Sequence, residues 1–294
     1  MSIDRLEALL ARFRISAELS TSGPLCGRHA FPAEEGVGWL HVLRGGSLRV
    51  SHRRADGLRE ALDFDEPVLL FYPRPLAHRF ERLPREGALF TCARVHFQGG
   101  ALNPLARALP GFVALPLARI EGLASTLALL FAETDRVRCG HRLLADRLFE
   151  VLLIQLLRWL LDHPGEAGVQ AGLIAGLSDE RLACALVAIH GAPGESWSIE
   201  RMATCAGMSR TSFATRFLEV VGTTPAGYLA DWRVALAQAG LRAGRPVKSL
   251  AAELGYANSS ALSRAFSART GRSPRHWQAL TAPAEEEGGA ARPG

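Results

Sequence analysis

Ile3, Leu6, Leu9, Leu10 and Phe13 recur at the spacing of one helix face, so the chain opens on a short amphipathic helix. The pattern changes at about residue 15. From there to about 115, short apolar runs at 39–43, 47–51, 67–72 and 90–97 are cut by Gly45 and Gly46, Asp56 and Gly57, Pro73 and Pro75, and Gly99 and Gly100. Strands of this size and spacing predict a small β-barrel or double-sheet sandwich, with Asp56 and Gly57 in a hairpin turn.

Between 117 and 163 the period becomes helical. Leu123, Leu127 and Leu130 mark one helix; Leu144, Leu148, Val151, Leu152, Leu156 and Trp159 mark another, ended by His163, Pro164 and Gly165. The second is apolar over more than half its circumference. One face suits the barrel, and another suits either a partner subunit or the interior of the same chain. The stretch 165–176, with four glycines, reads as a linker. Everything from 177 to about 280 is helical in pattern, and 282–294 reads as a disordered tail.

With 294 residues, the chain is long enough for about two domains at ~100–200 residues each. Its 48% hydrophobic content is that of globular protein. The most apolar run, 151–161, is broken by Gln155 and Arg158 and falls short of the roughly 20 residues a spanning helix needs, so no membrane association is expected. The opening MSIDRLEALLARFR carries charge throughout and predicts no signal peptide. Five scattered cysteines do not make a disulfide scaffold, which points to the cytoplasm.

Charge is unevenly spread. Residues 178–280 carry 12 basic and 7 acidic groups, and within 239–280 the balance is 7 to 1, the acid being Glu253. A local positive region suits either a polyanion or a solvated face. The pattern inside it decides between them. Ser198 is placed to cap one helix and Ser209 a second, with Gly207 in the turn between. The plan returns with a first helix at 247–254, a turn at Gly255, and a second helix at 259–269. Both copies end alike: Phe217 then Gly222 and Pro225, Phe266 then Gly271 and Pro274. A duplicated helix-turn-helix is a DNA-reading plan, whose second helix enters the major groove.

The stretch 179–277 resembles the AraC/XylS family of bacterial transcription regulators, through GMSRTSFATRFLEVVGTTPAGYLADWRVALAQAGL and VKSLAAELGYANSSALSRAFSARTGRSPRHW. The resemblance implies two readers joined by a connecting helix and set on successive major-groove segments. It implies groove-facing Arg210, Thr211, Ala214 and Thr215 in the first reader, and Ser259, Ser260, Ser263 and Arg264 in the second. Arg264 is the candidate for bidentate contact with guanine. Arg216, Lys248, Arg269, Arg272 and Arg275 are read as phosphate or solvent contacts. Thr215 stands where many members have arginine, and Leu262 where most have phenylalanine.

Residues 5–165 resemble the cupin-type sensor found on some members of that family. The match runs through the strand and glycine turn at 39–47, PVLLFYPRPLAH at 67–78 with Asp65 and Glu66 before it, and FTCARVHF at 90–97. Cupin enzymes hold a metal with histidines and a carboxylate. Here His41, His78 and His96 are effector-pocket candidates, but no His-x-His with a downstream Glu appears, so neither a metal centre nor a cofactor is predicted. Cys26, near Arg28 and His29, and Cys92, before Arg94 and His96, are candidate redox thiols. They resemble cysteines of the branch that responds to reactive chlorine species; as a buried residue Cys92 would instead be a small hydrophobe.

The expected fold class is α+β: a cupin-like sensor at 1–116, helical dimerisation elements at 117–165, a flexible linker at 166–177, a double helix-turn-helix domain at 178–280 and a disordered tail at 281–294. The expected function is a transcription regulator, not an enzyme. It would bind promoter DNA as a homodimer, activate through RNA polymerase, and respond to an oxidant or small-molecule effector. The alternative is a cupin metalloenzyme, an oxygenase or isomerase, with a DNA-binding-like C-terminal domain.

Overall fold

The computed structural model describes residues 3–54, 56–81 and 87–281. The expected tail therefore lies outside the described residues, save Thr281. The fold class is α+β. Among the described residues, helix α1 (Glu7–Arg12) leads into nine strands: β1 (Ile15–Leu25), β2 (His29–Phe31), β3 (Val37–Gly45), β4 (Leu48–Arg53), β5 (Arg59–Phe64), β6 (Val68–Tyr72), β7 (His78–Glu81), β8 (Ala88–Phe97) and, after the short helix α2 (Pro104–Ala108), β9 (Val113–Pro116). They form two antiparallel sheets, ordered β1-β8-β3-β6-β9 and β2-β7-β4-β5. Strand β3 has neighbours on both sides and is buried on both faces for most of its length, which is why its sequence does not alternate. The edge strand β5 alternates between exposed and half-buried positions. Gly57, at φ 82°, closes the β4–β5 hairpin. The core between the sheets includes Trp39, Leu48, Val50, Leu70, Phe80 and Phe90.

Helix α3 (Leu123–Asp135) packs on α4 (His141–Asp162), and α4 lies along β1. Phe149, Leu152, Leu153, Leu156, Leu157 and Leu160 bury one face of α4. Leu143, Leu144 and Val151 stay exposed on another, at 62%, 49% and 43%.

The stretch expected to be a flexible linker is not one throughout. Its second half is helix α5 (Leu173–Ser178), with Leu173, Ile174 and Leu177 buried. A Cβ on Gly176 would meet Leu186 at 2.8 Å and Val221 at 2.9 Å, so this glycine serves close helix packing. The Gly172 N–H donates to the Val220 carbonyl at 3.0 Å. Glycine content suggested freedom; the apolar residues between the glycines decide the outcome.

The remaining helices are α6 (Glu180–Gly191), α7 (Ile199–Cys205), α8 (Arg210–Val221), α9 (Pro225–Arg242), α10 (Val247–Glu253), α11 (Ser259–Thr270) and α12 (Pro274–Thr281). The chain forms two compact units. One holds Met1–Gly191 with Ser198–Pro225; the other holds Ala192–Trp197 and the chain from Ala226 onward. The sensor sheets and the first helix-turn-helix thus share a unit, whereas the sequence placed a boundary near 178. Within it α1 packs on α6, and Arg12 donates to the carbonyls of His190 (3.0 Å) and Gly191 (3.1 Å) at the end of α6. Arg5 pairs with Asp162 at 2.6 Å and reaches the Leu177 carbonyl.

Candidate nucleic-acid interface and sensor site

Each helix-turn-helix is built from local signals. In the first, Ser198 accepts from the Arg201 N–H and caps α7, and Ser209 accepts from the Ser212 N–H and caps α8. Met202, Ala203, Phe213 and Phe217 form its buried side. In the second, Leu250, Ala251, Leu262 and Phe266 are buried, and Asn258 caps α11 by accepting from the Ala261 N–H at 2.9 Å. Asn258 was missed in the sequence, although asparagine before a helix is itself a cap signal. Helix α12 falls within the stretch to about 280 that is helical in pattern, though its start at Pro274 was not marked; its Trp277 packs edge-on against Phe266 at 5.8 Å.

The two turns repeat the same hydrogen bonds. Met208 N–H reaches the Ala203 carbonyl, and Tyr256 N–H reaches that of Ala251, both at 2.9 Å. Gly222 (φ 78°) and Gly271 (φ 71°) take the left-handed conformation that ends α8 and α11. The second turn carries one extra residue. Arg264 therefore occupies the helix position that Thr215 holds in the first reader.

Of the groove-facing candidates, Arg210, Thr211, Thr215, Ser260 and Arg264 are exposed, and Ala214, Ser259 and Ser263 are half-buried. Arg210 lies 3.2 Å from Glu200, with both side chains largely in solvent. Arg264, Lys248, Arg272 and Arg275 make no ion pair among the described residues. Two expected phosphate contacts are instead engaged within the protein. Arg216 holds Asp179 through Nε at 3.0 Å and Nη2 at 2.9 Å. Arg269 holds Asp231 at 2.6 Å. Burial alone would raise the Asp179 pKa, but the Leu182 and Arg181 N–H groups and the Arg216 guanidinium hold it below the usual range. Sequence reading assigned these arginines by their place on reader helices and had no sight of the distant acid.

In the sheets, His41 and His78 come together, buried, with Nε2 atoms 2.9 Å apart. Burial and the neighbouring ring hold His41 well below the ordinary histidine pKa. Burial takes His78 down to about 4, against the opposing bond from its Nδ1 to the Leu76 carbonyl. Phe31 and Tyr72 stack on His78 at 4.8 and 3.9 Å. His52 joins them, 3.3 Å from the Tyr72 hydroxyl. A cavity of about 650 Å3 opens here, lined by Phe31, His52, His78, Arg53, Arg59 and Arg79 among others.

His96 does not belong to this cluster. On β8 it pairs with Val37 while Cys92 pairs with His41, four residues away. Cys26 and Cys92 are not brought together either. Cys92 sits opposite Thr21, and Cys26 lies beyond the Leu25–Ala88 pair beside Gly87, about 16 Å along the strand. A disulfide needs Cα atoms within about 7 Å. Cys92 is fully buried and its thiol is pushed up by burial, the reverse of a reactive thiolate, whereas Cys26 is exposed. Arg94 and His96, two and four residues on along β8, suggested activation, but burial alone sets the direction in which the Cys92 thiol is shifted.

No group of three or more His, Cys, Asp or Glu among the described residues is placed to hold a metal ion. No helix among the described residues is long and apolar enough to cross a membrane.

Comparison with known proteins gives the same two parts. A family model described as Cupin matches residues 4–162, and one described as a helix-turn-helix domain matches 202–279. A putative AraC-like transcription regulator of Streptomyces antibioticus is 31% identical, over 92% of this chain and 97% of its own. The RCS-specific HTH-type transcriptional activator RclR of Escherichia coli K12 is 27% identical, over 83% of this chain and 86% of its own. The solved DNA-binding domain of AdpA, in complex with a target DNA, is 29% identical, covers 33% of this chain and 87% of that one, and has a TM-score of 0.32. The chain belongs to the AraC-type DNA-binding transcription regulators that carry a cupin-like N-terminal domain.

Proposed function

We propose that the protein reads promoter DNA through Arg210, Thr211, Ala214 and Thr215 of α8 and through Ser259, Ser260, Ser263 and Arg264 of α11. Lys248, Arg272 and Arg275 add phosphate contacts. The carrying observation is the duplicated, separately capped reader whose helices keep these side chains exposed or half-buried, with Arg264 making no ion pair among the described residues. Arg216 is withdrawn from the set because Asp179 holds it. The protein acts in the cytoplasm as a homodimer, joined through the outward face of α4, and activates through RNA polymerase; the name of the relative RclR as an activator supports the sign.

The signal is a small molecule entering the cleft beside His52 and His78, a cavity whose volume lies within the range for ligand sites. His41 lies behind it. A second reading, oxidant sensing, is favoured by the exposed Cys26 and by the RCS-specific relative. In that reading Cys26 reacts first, and Cys92 follows only if β1 and β8 separate.

Capture and sequencing of genomic fragments bound by the full chain, with and without oxidant, tests this function. Enrichment of a two-part motif with half-sites about one helical turn apart is expected. Uniform recovery of fragments at every salt concentration would remove sequence-specific reading.

A further inference from the structure

The cleft beside His52 and His78 has a charged side. On β4, Arg49, Ser51 and Arg53 alternate with the inward Val50 and His52, so they share the outer face of the four-stranded sheet. The register sets Arg53 directly opposite Arg59 on β5, and Ser51 directly opposite Arg79 on β7. Directly opposed β-carbons lie about 4.5–5.5 Å apart and diagonal neighbours about 7–8 Å, so three arginines from three strands ring the buried Ser51. All four residues line the same cavity. Like charges set opposite one another destabilise a sheet, and the protein meets only part of this charge. Arg49, in the next row, is matched by Asp63 through Nε at 2.7 Å. Glu81 accepts from Ser51 at 2.8 Å and from Arg59 at 2.7 Å. The Ser51 hydroxyl, and after it the charges of Arg59 and Arg28, hold Glu81 below the usual carboxylate range, so it stays ionised and offsets one guanidinium. Arg53 and Arg79 are exposed and make no ion pair among the described residues. The other walls of the cleft include Phe31, Pro32, Pro75 and Leu76, which are apolar.

We propose that this cleft binds a phosphate monoester of a compact apolar group, held by Arg53, Arg59 and Arg79. The proposal rests on the reading that the signal enters this cleft, and it names the chemical class of that signal. Two unmatched guanidinium groups call for two negative charges. A phosphate monoester carries close to two at neutral pH, with three strong acceptor oxygens, and a carboxylate or a sulfate ester carries one. Arginine forks match phosphate oxygens in pairs. The apolar group covers Phe31, Pro32 and Leu76 and removes them from water. Because the three arginines belong to β4, β5 and β7, one bound phosphate ties three strands together.

The test uses the full chain and phenyl phosphate, with titration calorimetry as the readout. Saturable one-to-one binding is expected, about tenfold or more tighter than that of phenyl sulfate, which has the same shape and one charge fewer. Inorganic phosphate, lacking the ring, is expected to bind more weakly than the ester. Arg53→Gln together with Arg79→Gln should weaken the ester about tenfold or more and bring it level with the sulfate, with circular dichroism unchanged because both side chains are exposed. Ala77→Trp, placed on the cleft wall at an exposed position, should block binding. The proposal is overturned by a wild-type chain that does not bind phenyl phosphate saturably, by equal binding of ester and sulfate, by inorganic phosphate binding as tightly as the ester, or by equal binding in the folded double variant. Operator affinity with and without the ester keeps the two readings apart: an ester that binds and leaves operator affinity unchanged upholds the site and removes its role as the signal. Weaker DNA binding by the double variant without any ester would make these arginines DNA contacts and overturn the proposal.

Discussion

His41 donates to His78. The Nδ1 of His78 faces the Leu76 carbonyl at 2.8 Å and must carry a proton, so in the neutral ring its Nε2 is the bare acceptor. The proton of the 2.9 Å Nε2–Nε2 bond therefore belongs to His41, whose Nδ1 is left as an unpartnered acceptor inside the barrel. The arrangement holds only while both rings are neutral. Their folded pKa values lie below the unfolded value of about 6.5, His78 at about 4. Below 6.5 the unfolded chain then binds more protons, so stability is complete above that pH and is lost as the pH falls toward 4. Each ring contributes a slope of about 1.4 kcal/mol per pH unit in that window. Urea unfolding between pH 7 and 4 checks this: His78→Phe is expected to flatten the slope, and an unchanged slope would show that the pair is not buried neutral.

Arg264 and Lys248 are both exposed and neither makes an ion pair among the described residues, yet they are expected to fail differently. Arg264→Ala removes a base contact and relaxes preference at one base pair by ~1–3 kcal/mol. Lys248→Ala weakens every sequence alike and lowers the salt slope by about one. Binding measured across single-base operator variants and across salt separates the two; a uniform loss for Arg264→Ala would make it a phosphate contact.

Asp179 serves two helices at once. It accepts from the Arg181 and Leu182 N–H groups in the first turn of α6 and from Arg216 on α8. Asp179→Ala is expected to cost about 1–2 kcal/mol, mostly as the lost cap. Arg216→Ala should cost less, because the guanidinium is half in solvent. Neither should alter the salt slope of DNA binding. A slope lowered by Arg216→Ala would return that arginine to the phosphate contacts.

Legibility in the sequence followed the range of the interactions. The reader helices were legible because caps, turn glycines and the Phe217 and Phe266 positions act within one or two turns of chain. The strands around 39–45 and 68–72 were legible as runs with no alternation, as befits the interior of a sheet. What failed was long-range. Asp179 claims Arg216 across 37 residues, and the Leu25–Ala88 register separates Cys26 from Cys92. His96 lies on the right strand but four residues from the histidine cluster. Composition misled at 173–178, where Gly176, counted as flexibility, turned out to be a spacer among buried leucines and a buried isoleucine.

The cysteines give a direct chemical reading of burial. Cys26, Cys139 and Cys205 are exposed, while Cys92 is enclosed among Trp39, Phe80 and Phe90 with its thiol pushed up. Brief alkylation of the native chain is expected to label the first three and spare Cys92 until denaturant is added. Mass spectrometry after mild oxidant should find no Cys26–Cys92 disulfide in the folded protein. Prompt formation of that bond would mean that β1 and β8 slide or open far more readily than ten paired positions suggest.

The outward face of α4 is an apolar surface that needs an explanation. Leu143, Leu144 and Val151 lie within about two turns of one another and are 62%, 49% and 43% exposed, on a helix whose opposite face is fully packed. Three large aliphatic side chains left in water on one helix exceed the scattered exposure that folded chains tolerate. If two copies meet here, the pair Leu144→Glu and Val151→Glu removes about 3 kcal/mol of burial and adds charge, so the dimer should weaken about a hundredfold or more. Sedimentation velocity across a concentration series reads the change. Both positions point away from the core, so thermal unfolding of the variant should stay near that of the wild type. An unaltered dimer, or a wild-type chain that stays monomeric at every concentration, would assign this face to something other than a second copy.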